Sequence, residues 1–351
     1  MDSERSVFDM EKKSNTPIVK YISVPNNRSL YVVGKLLTGQ SEYTLSGDEN
    51  TAMITENNSD VLLTITGENQ LTQYELLESN PHLLLGAADK RTVLAKLMER
   101  INSLDELTRV VNSILFHHWY HHRDANNIAY IELEDIHVDY RGLCGTNATS
   151  TLSDKDYESY IKAIDVLRNA SVKISITKEN HALYEDLQKY DIGAVEGFLL
   201  TLERIIYSKT NPQKIKGFYY KLQIMIDTFA SLKINNNFPS VLNQLNIRSK
   251  TAKAIGDYLC YLHYEGINQG VSYTDVSFYQ LMGEAGYVIL GSRYQQYLNR
   301  FCQHLQRVEK ILIQEKIVKK ITIPTVDAKT YKYKLVRIFW ATPPSQIENM
   351  L

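Results

Sequence analysis

Long hydrophobic runs are missing from this 351-residue sequence, and stretches such as "LLL" at Leu83 to Leu85 are far below the roughly 20 residues that a membrane-spanning helix needs. Cysteine is scarce: Cys144, Cys260 and Cys302 are odd in number and widely separated, which excludes a disulfide framework and a cysteine-based zinc site. The same scarcity predicts a reducing, cytoplasmic setting. A signal-peptide pattern is absent from the polar, mixed-charge start "MDSERSVFDMEKKSNTP". The glycines of "GLCGTNATS" and "GEAGYVILG" do not supply G-x-x-x-x-G-K-[ST], so no ATP site is expected.

Net charge is also nearly absent, at −1, until the chain is divided. Residues 201 to 351 carry 20 Lys and Arg against 10 Asp and Glu, a balance of +10, whereas residues 1 to 200 carry 19 against 30, a balance of −11. A basic half can hold phosphate and gain from counterion release. An acidic half suits protein contacts and weakens non-specific adhesion to nucleic acid.

What is present is clearest in "GSRYQQYLNRFCQHLQRVEKIL", Gly291 to Leu312. Tyr294, Tyr297, Leu298, Phe301, Leu305, Val308 and Leu312 recur at the spacing of one apolar helical face. A second stripe, Arg293, Gln296, Arg300, Gln303, Arg307 and Lys310, contains only cations and amides, and the single acid, Glu309, lies off it. Ordinary surface helices mix charges of both signs, because opposite charges one turn apart stabilise and like charges repel. Arg, Gln and Lys carry the donors that fit guanine edges, adenine edges and phosphates.

Along the chain, residues 1–16 carry no periodicity and are expected to be a disordered lead. From 17 to 86, strand-like runs ("VKYISV", "SLYVVGKLL", "VLLTITG") between Asn-, Ser- and Gly-rich breaks predict a small β-rich appendage. Val93, Leu94, Leu97, Ile101, Leu104, Val111 and Leu115 then mark one or two helices ending near Tyr120. "IAYIEL" reads as a strand and "EDIHVDYRG" as a short helix starting at Glu134 or Asp135. "SDKDYESYIKAIDVLRNA" is a longer helix capped by Ser153, and "VKISIT" is a strand. "GFLLTLERIIYS" and "GFYYKLQI" read as a hairpin around "SKTNPQKIKG".

The order recurs. "RSKTAKAIGDYLCYLHYEG" is a helix stopping at Gly266, and "VSYT" is a short strand. "DVSFYQLMGEAG" is a helix with Asp275 as cap and Gly286 as exit. The basic helix, Ser292 to Lys316, comes next and leads into the strands "IVKKITIP" and "TYKYKLVRIFWA", joined by "TVDAKT" as a wing. The predicted fold is α+β: two tandem winged helix-turn-helix domains, 87–234 and 235–351, behind the β-rich appendage.

At these residues, roughly 89 to 341, the chain resembles the plasmid replication initiators that bind iterons through two winged-helix domains. That resemblance implies sequence-specific double-stranded DNA binding at origin repeats, mainly by the C-terminal module. It implies phosphate contacts and self-association by the N-terminal module, and recruitment of host initiator and helicase proteins. The residues expected at DNA are Arg293, Gln296, Arg300, Gln303, Arg307 and Lys310 on the basic helix. Lys319, Lys320, Lys329, Lys332 and Lys334 lie on or beside the wing, with Lys155, Ser159 and Lys162 as weaker counterparts in the first module. A transcriptional repressor or partition-site protein would use the same helix, while an origin nickase or primase would need a catalytic constellation.

None is evident. "FHHWYHHRD" sets His117/His121 and His118/His122 one turn apart, but it lacks the glutamate of H-E-x-x-H and the His-apolar-His pair of rolling-circle nickases. Glu132, Glu134 and Asp135 lack an accompanying phosphate-binding loop and read as strand-face and capping residues. No catalytic residue, metal, cofactor or membrane partner is expected.

Overall fold

The computed structural model describes residues 21–25, 28–56, 59–70, 90–143, 151–176, 193–222, 234–239, 249–287, 289 and 294–341. The expected lead at 1–16 and Arg293 lie outside these residues.

The chain is mixed α+β. It begins with β1 (Tyr21–Pro25), α1 (Arg28–Leu36), β2 (Tyr43–Leu45), β3 (Thr51–Thr55) and β4 (Val61–Thr66). Then follow α2 (Lys90–Asn102), α3 (Glu106–His122), β5 (Ala129–Glu132), α4 (Leu133–Leu143) and α5 (Asp154–Arg168). Next come β6 (Ala170–Ser175), β7 (Ala194–Phe198), β8 (Thr201–Tyr207), β9 (Ile215–Lys221) and β10 (Ile234–Pro239). The last elements are α6 (Lys250–Gln269), β11 (Tyr273–Ser277), α7 (Phe278–Glu284), α8 (Tyr294–Gln314), β12 (Val318–Thr322) and β13 (Leu335–Trp340).

Two three-stranded sheets share one topology. β5, β9 and β8 lie in the order β5-β9-β8, and β11, β12 and β13 lie in the order β11-β13-β12. In each, the strand that follows a long helix pairs antiparallel with the last strand, and the last two strands form a hairpin. Between first strand and hairpin lie two helices, α4 and α5 in one case, α7 and α8 in the other. The first unit differs by carrying β6 and β7 between its second helix and its hairpin.

That insertion overturns part of the sequence reading. β6 and β7 complete a five-stranded sheet, β2-β3-β4-β6-β7, in which Val61 to Ile65 run antiparallel to Ile174 to Ala170. Residues 43–66 are therefore built into the first core rather than hung from it. "GFLLTLERIIYS" divides accordingly: β7 and β8 belong to different sheets, with Leu199 and Leu200 buried at the break. "SLYVVGKLL", rich in β-branched residues and read as a strand, forms helix α1. Leu30, Val33, Leu36 and Leu37 fall at three- and four-residue spacing and are all buried, so the helical stripe outweighs the β propensity.

Side-chain caps mark the starts of α3, α5 and α7. Asp105 accepts from the Thr108 amide at 2.9 Å, and Ser153 caps α5 through the Asp156 amide. The short helix α7 is capped by Ser277, not Asp275, which lies in β11 and pairs with Arg337 at 2.7 Å. α6 runs through Gly266 and ends at Gly270, whose φ of 69° suits a residue without Cβ.

The two cores meet along α1. Leu30, Val32 and Val33 sink into the first core, while the Tyr31 ring stacks on Tyr261 at 5.0 Å and tilts against Tyr258 at 6.0 Å in the second. Lys35 bridges Glu56 at 2.9 Å and Glu284 of α7 at 3.5 Å, and Arg109 of α3 reaches Asp257 of α6 at 3.3 Å.

Candidate nucleic-acid interface

α8 presents the two stripes as distinct faces. Leu298, Phe301, Leu305, Val308 and Leu312 are fully buried in the second core, with the Phe301 ring edge-on to Phe278 at 5.3 Å. The buried stripe is shorter than expected at its start: Tyr294 is 41% exposed, because the first turn of the helix extends past the core. Opposite the buried row, Gln296, Arg300, Gln303, Arg307 and Lys310 are exposed, and Asn299 and Gln306 extend the face with two further amides. The sequence reading missed those two because it followed a single row of side chains.

The only acid on the helix is withdrawn from this face. Glu309 Oε1 accepts the Ile321 amide of β12 at 2.7 Å. Among the described residues, no carboxylate forms an ion pair with Arg300, Arg307 or Lys310. His304 sits beside both arginines, with Nδ1 3.3 Å from the Ser249 hydroxyl. Burial, then Arg307 and Arg300, hold its imidazole below its ordinary pKa, so it adds no third proton-borne charge to the cluster at neutral pH. Burial raises the Tyr287 phenol, whose hydroxyl donates to the Tyr297 carbonyl of α8 at 3.1 Å.

The loop between β12 and β13 lies against the start of α8. Gln295 Nε2 donates to the Val326 carbonyl at 3.0 Å and to Asn299 Oδ1 at 3.1 Å. Asp327 organises the turn: its carboxylate accepts from the Lys329 amide at 2.8 Å, the Thr330 amide at 3.0 Å and the Thr330 hydroxyl. These bonds, led by the Thr330 hydroxyl, hold the carboxyl below its ordinary range, so it stays ionised and satisfied within the loop. Around it Lys329 and Lys332 are exposed and Lys334 is half-buried, while Lys319 and Lys320 are exposed on β12. Lys332 Nζ rests 5.5 Å from the centre of the Tyr279 ring, a cation–π contact that directs the stem across α7.

The first unit lacks such a face. On α5, the Ser159 hydroxyl donates back to the Lys155 carbonyl at 2.9 Å, Lys162 lies 3.8 Å from Glu99, and Asp154, Asp156, Glu158 and Asp165 share the helix. Lys214 of the β8–β9 loop is bonded to Asp154. Lys155 is exposed, but its surroundings are acidic. Glu132, on the strand face of β5, pairs with Lys216 at 2.8 Å.

No family model matches the chain, and no curated protein matches it. Among solved structures it is similar to domains 2 and 3 of RctB, determined from selenomethionine derivatives, at 11% sequence identity and a TM-score of 0.34. The match covers 82% of this chain and 89% of that one. A likeness at that score does not establish a common fold.

Proposed function

We propose that the chain is a sequence-specific double-stranded DNA-binding protein with two winged helix-turn-helix modules, residues 87–234 and 235–351, that initiates plasmid replication at origin repeats. The observation that carries this reading is the exposed face of α8: cations and amides from Gln296 to Lys310, with the one carboxylate of the helix turned into the protein. The repeated helix, strand, two helices and hairpin supports the modular part, as does the shared sheet order.

In this reading α8 lies in a major groove, which admits one helix. Arg300 and Gln303 stand at its middle, where a guanidinium can grip guanine O6 and N7 and an amide can grip adenine N6 and N7. Arg307 and Lys310 lie one and two turns on and meet phosphate. The loop with Lys329, Lys332 and Lys334 is the wing and holds the neighbouring backbone, joined by Lys319 and Lys320. Each phosphate that these cations neutralise releases condensed counterions, so binding weakens steeply with salt. The acidic first half limits non-specific adhesion and, with Lys155 at the margin, serves self-association and recruitment of host initiator and helicase proteins in the cytoplasm. No step of this function makes or breaks a covalent bond, so the protein is not an enzyme.

Selection of bound duplexes from a random pool, with the full chain as bait, tests the reading. A recovered consensus that the 235–351 fragment also prefers supports it. Equal affinity of the fragments 1–234 and 235–351 across a salt titration removes it. Repression or partition would use the same face, and initiation is distinguished by whether the gene and its flanking direct repeats of about 20 base pairs sustain a plasmid with no other origin.

A further inference from the structure

The end of α3 carries His117, His118, His121 and His122, which the DNA reading leaves unused. The rings pair one turn apart, with His117 and His121 centred 4.7 Å from each other and His118 and His122 centred 4.5 Å from each other. Among the described residues no group of three or more His, Cys, Asp and Glu converges on a metal position, so two protein ligands are the most this helix offers. We propose that His118 and His122 form a two-imidazole site for a transition-metal ion that favours nitrogen, Zn²⁺ or Cu²⁺, with water completing the coordination.

The spacing fits. An ion held at about 2.1 Å by two imidazole nitrogens, with roughly 90–110° between the bonds, sets the ring centres roughly 4.5–5.2 Å apart. The tautomer fits as well. Tyr220 of β9 donates its single hydroxyl proton to the Leu115 carbonyl at 2.9 Å, so at 3.4 Å from His118 Nδ1 its oxygen can only accept. The His118 proton is thereby placed on Nδ1, and Nε2 keeps the lone pair that a metal takes. His122 is exposed, which opens the site to ions from solvent. An ion bound here ties the last turn of α3 through His118 and Tyr220 to the β8–β9 hairpin.

This inference rests on no part of the DNA reading. The test uses the full chain stripped of metal and titrated separately with Zn²⁺ and Cu²⁺ by calorimetry, with the copper complex read by electron paramagnetic resonance. One ion per chain and a signal from two equivalent nitrogens are expected. His122→Ala, at an exposed position that folding does not need, weakens binding by about tenfold or more, and Tyr220→Phe weakens it by about tenfold, the lower end for a group that orients a metal ligand. The paired change His117→Ala and His121→Ala leaves affinity within about twofold, below the tenfold of a lost orienting group. Absence of binding overturns the proposal. So does full affinity in His122→Ala, or loss confined to the His117 and His121 variant.

Discussion

Glu309 Oε1 lies 2.7 Å from the Ile321 amide, so the one acid of α8 closes the join between that helix and β12 instead of offsetting the cations beside it. Glu309→Gln keeps an acceptor and should leave the fold intact. Glu309→Ala strands a partly buried amide and should cost about 1–3 kcal/mol of stability, measured by urea unfolding. DNA affinity of both folded variants should stay near that of the parent, because the carboxylate is turned away from the exposed row of cations and amides.

Arg300 and Lys332 should separate base reading from phosphate holding. Arg300→Ala is expected to lose about 1–3 kcal/mol on the selected duplex and to relax the choice at one base pair. Lys332→Ala should weaken every duplex about equally and lower the salt slope by about one. A fluorescence-anisotropy panel of single-base variants at several salt concentrations reads both. An Arg300→Ala protein with unchanged affinity and specificity would reduce the α8 face to a solvated surface.

Leu305→Ala is the stability counterpart. The side chain is fully buried between helix and sheet, and removing it should cost about 2–5 kcal/mol according to how far the site collapses. Thermal unfolding measured beside the Arg300 variant should show a large loss for Leu305→Ala and little for Arg300→Ala. The reverse order would mean that the two stripes had been assigned to the wrong faces.

That assignment was legible because α8 is long and its two stripes are chemically pure, so a 3.6-residue period separates core from surface without tertiary information. Ser153 as a cap and Gly286 as an exit were legible for a related reason: each acts within one turn. α1 was not, since nine residues containing Tyr31, Val32 and Val33 satisfy strand propensity as well as helical spacing, and only burial on both sides decides. The five-stranded sheet was hidden too. Pairing of Val61 with Ile174 joins residues more than a hundred positions apart, and nothing local encodes such a partner. Glu309 was seen as lying off the basic row, but its bond to Ile321 depends on where β12 returns.

Arg109 should act as a latch between the cores. It lies 2.5 Å from Glu106 on its own helix and 3.3 Å from Asp257 on α6, and the Arg109 and Asp257 side chains are both largely shielded from water. Arg109→Ala leaves the Asp257 carboxylate shielded and unpaired, which should cost about 3–5 kcal/mol. Adding Asp257→Asn should recover part of that loss. Differential scanning calorimetry checks both steps, and strictly additive single and double variants would show that the pair is not coupled.

Acid should unfold this protein through its buried histidines. Burial holds His263 at a pKa of about 4, its Nε2 is buried without a hydrogen-bond partner among the described residues, and its ring packs 5.1 Å from Trp340. Burial and neighbouring histidines hold His117 and His118 at about 4 as well. The unfolded chain binds a proton at each near the ordinary value of about 6.5, so between those values it takes up protons that the folded chain refuses. Stability is therefore complete above about pH 6.5 and falls as the pH drops toward 4. His263→Phe, which fills the same space with no site to protonate, should flatten the profile and raise the melting temperature at pH 5 more than at pH 7.5. An equal shift at both pH values would assign its effect to packing and leave the acid sensitivity to the α3 histidines.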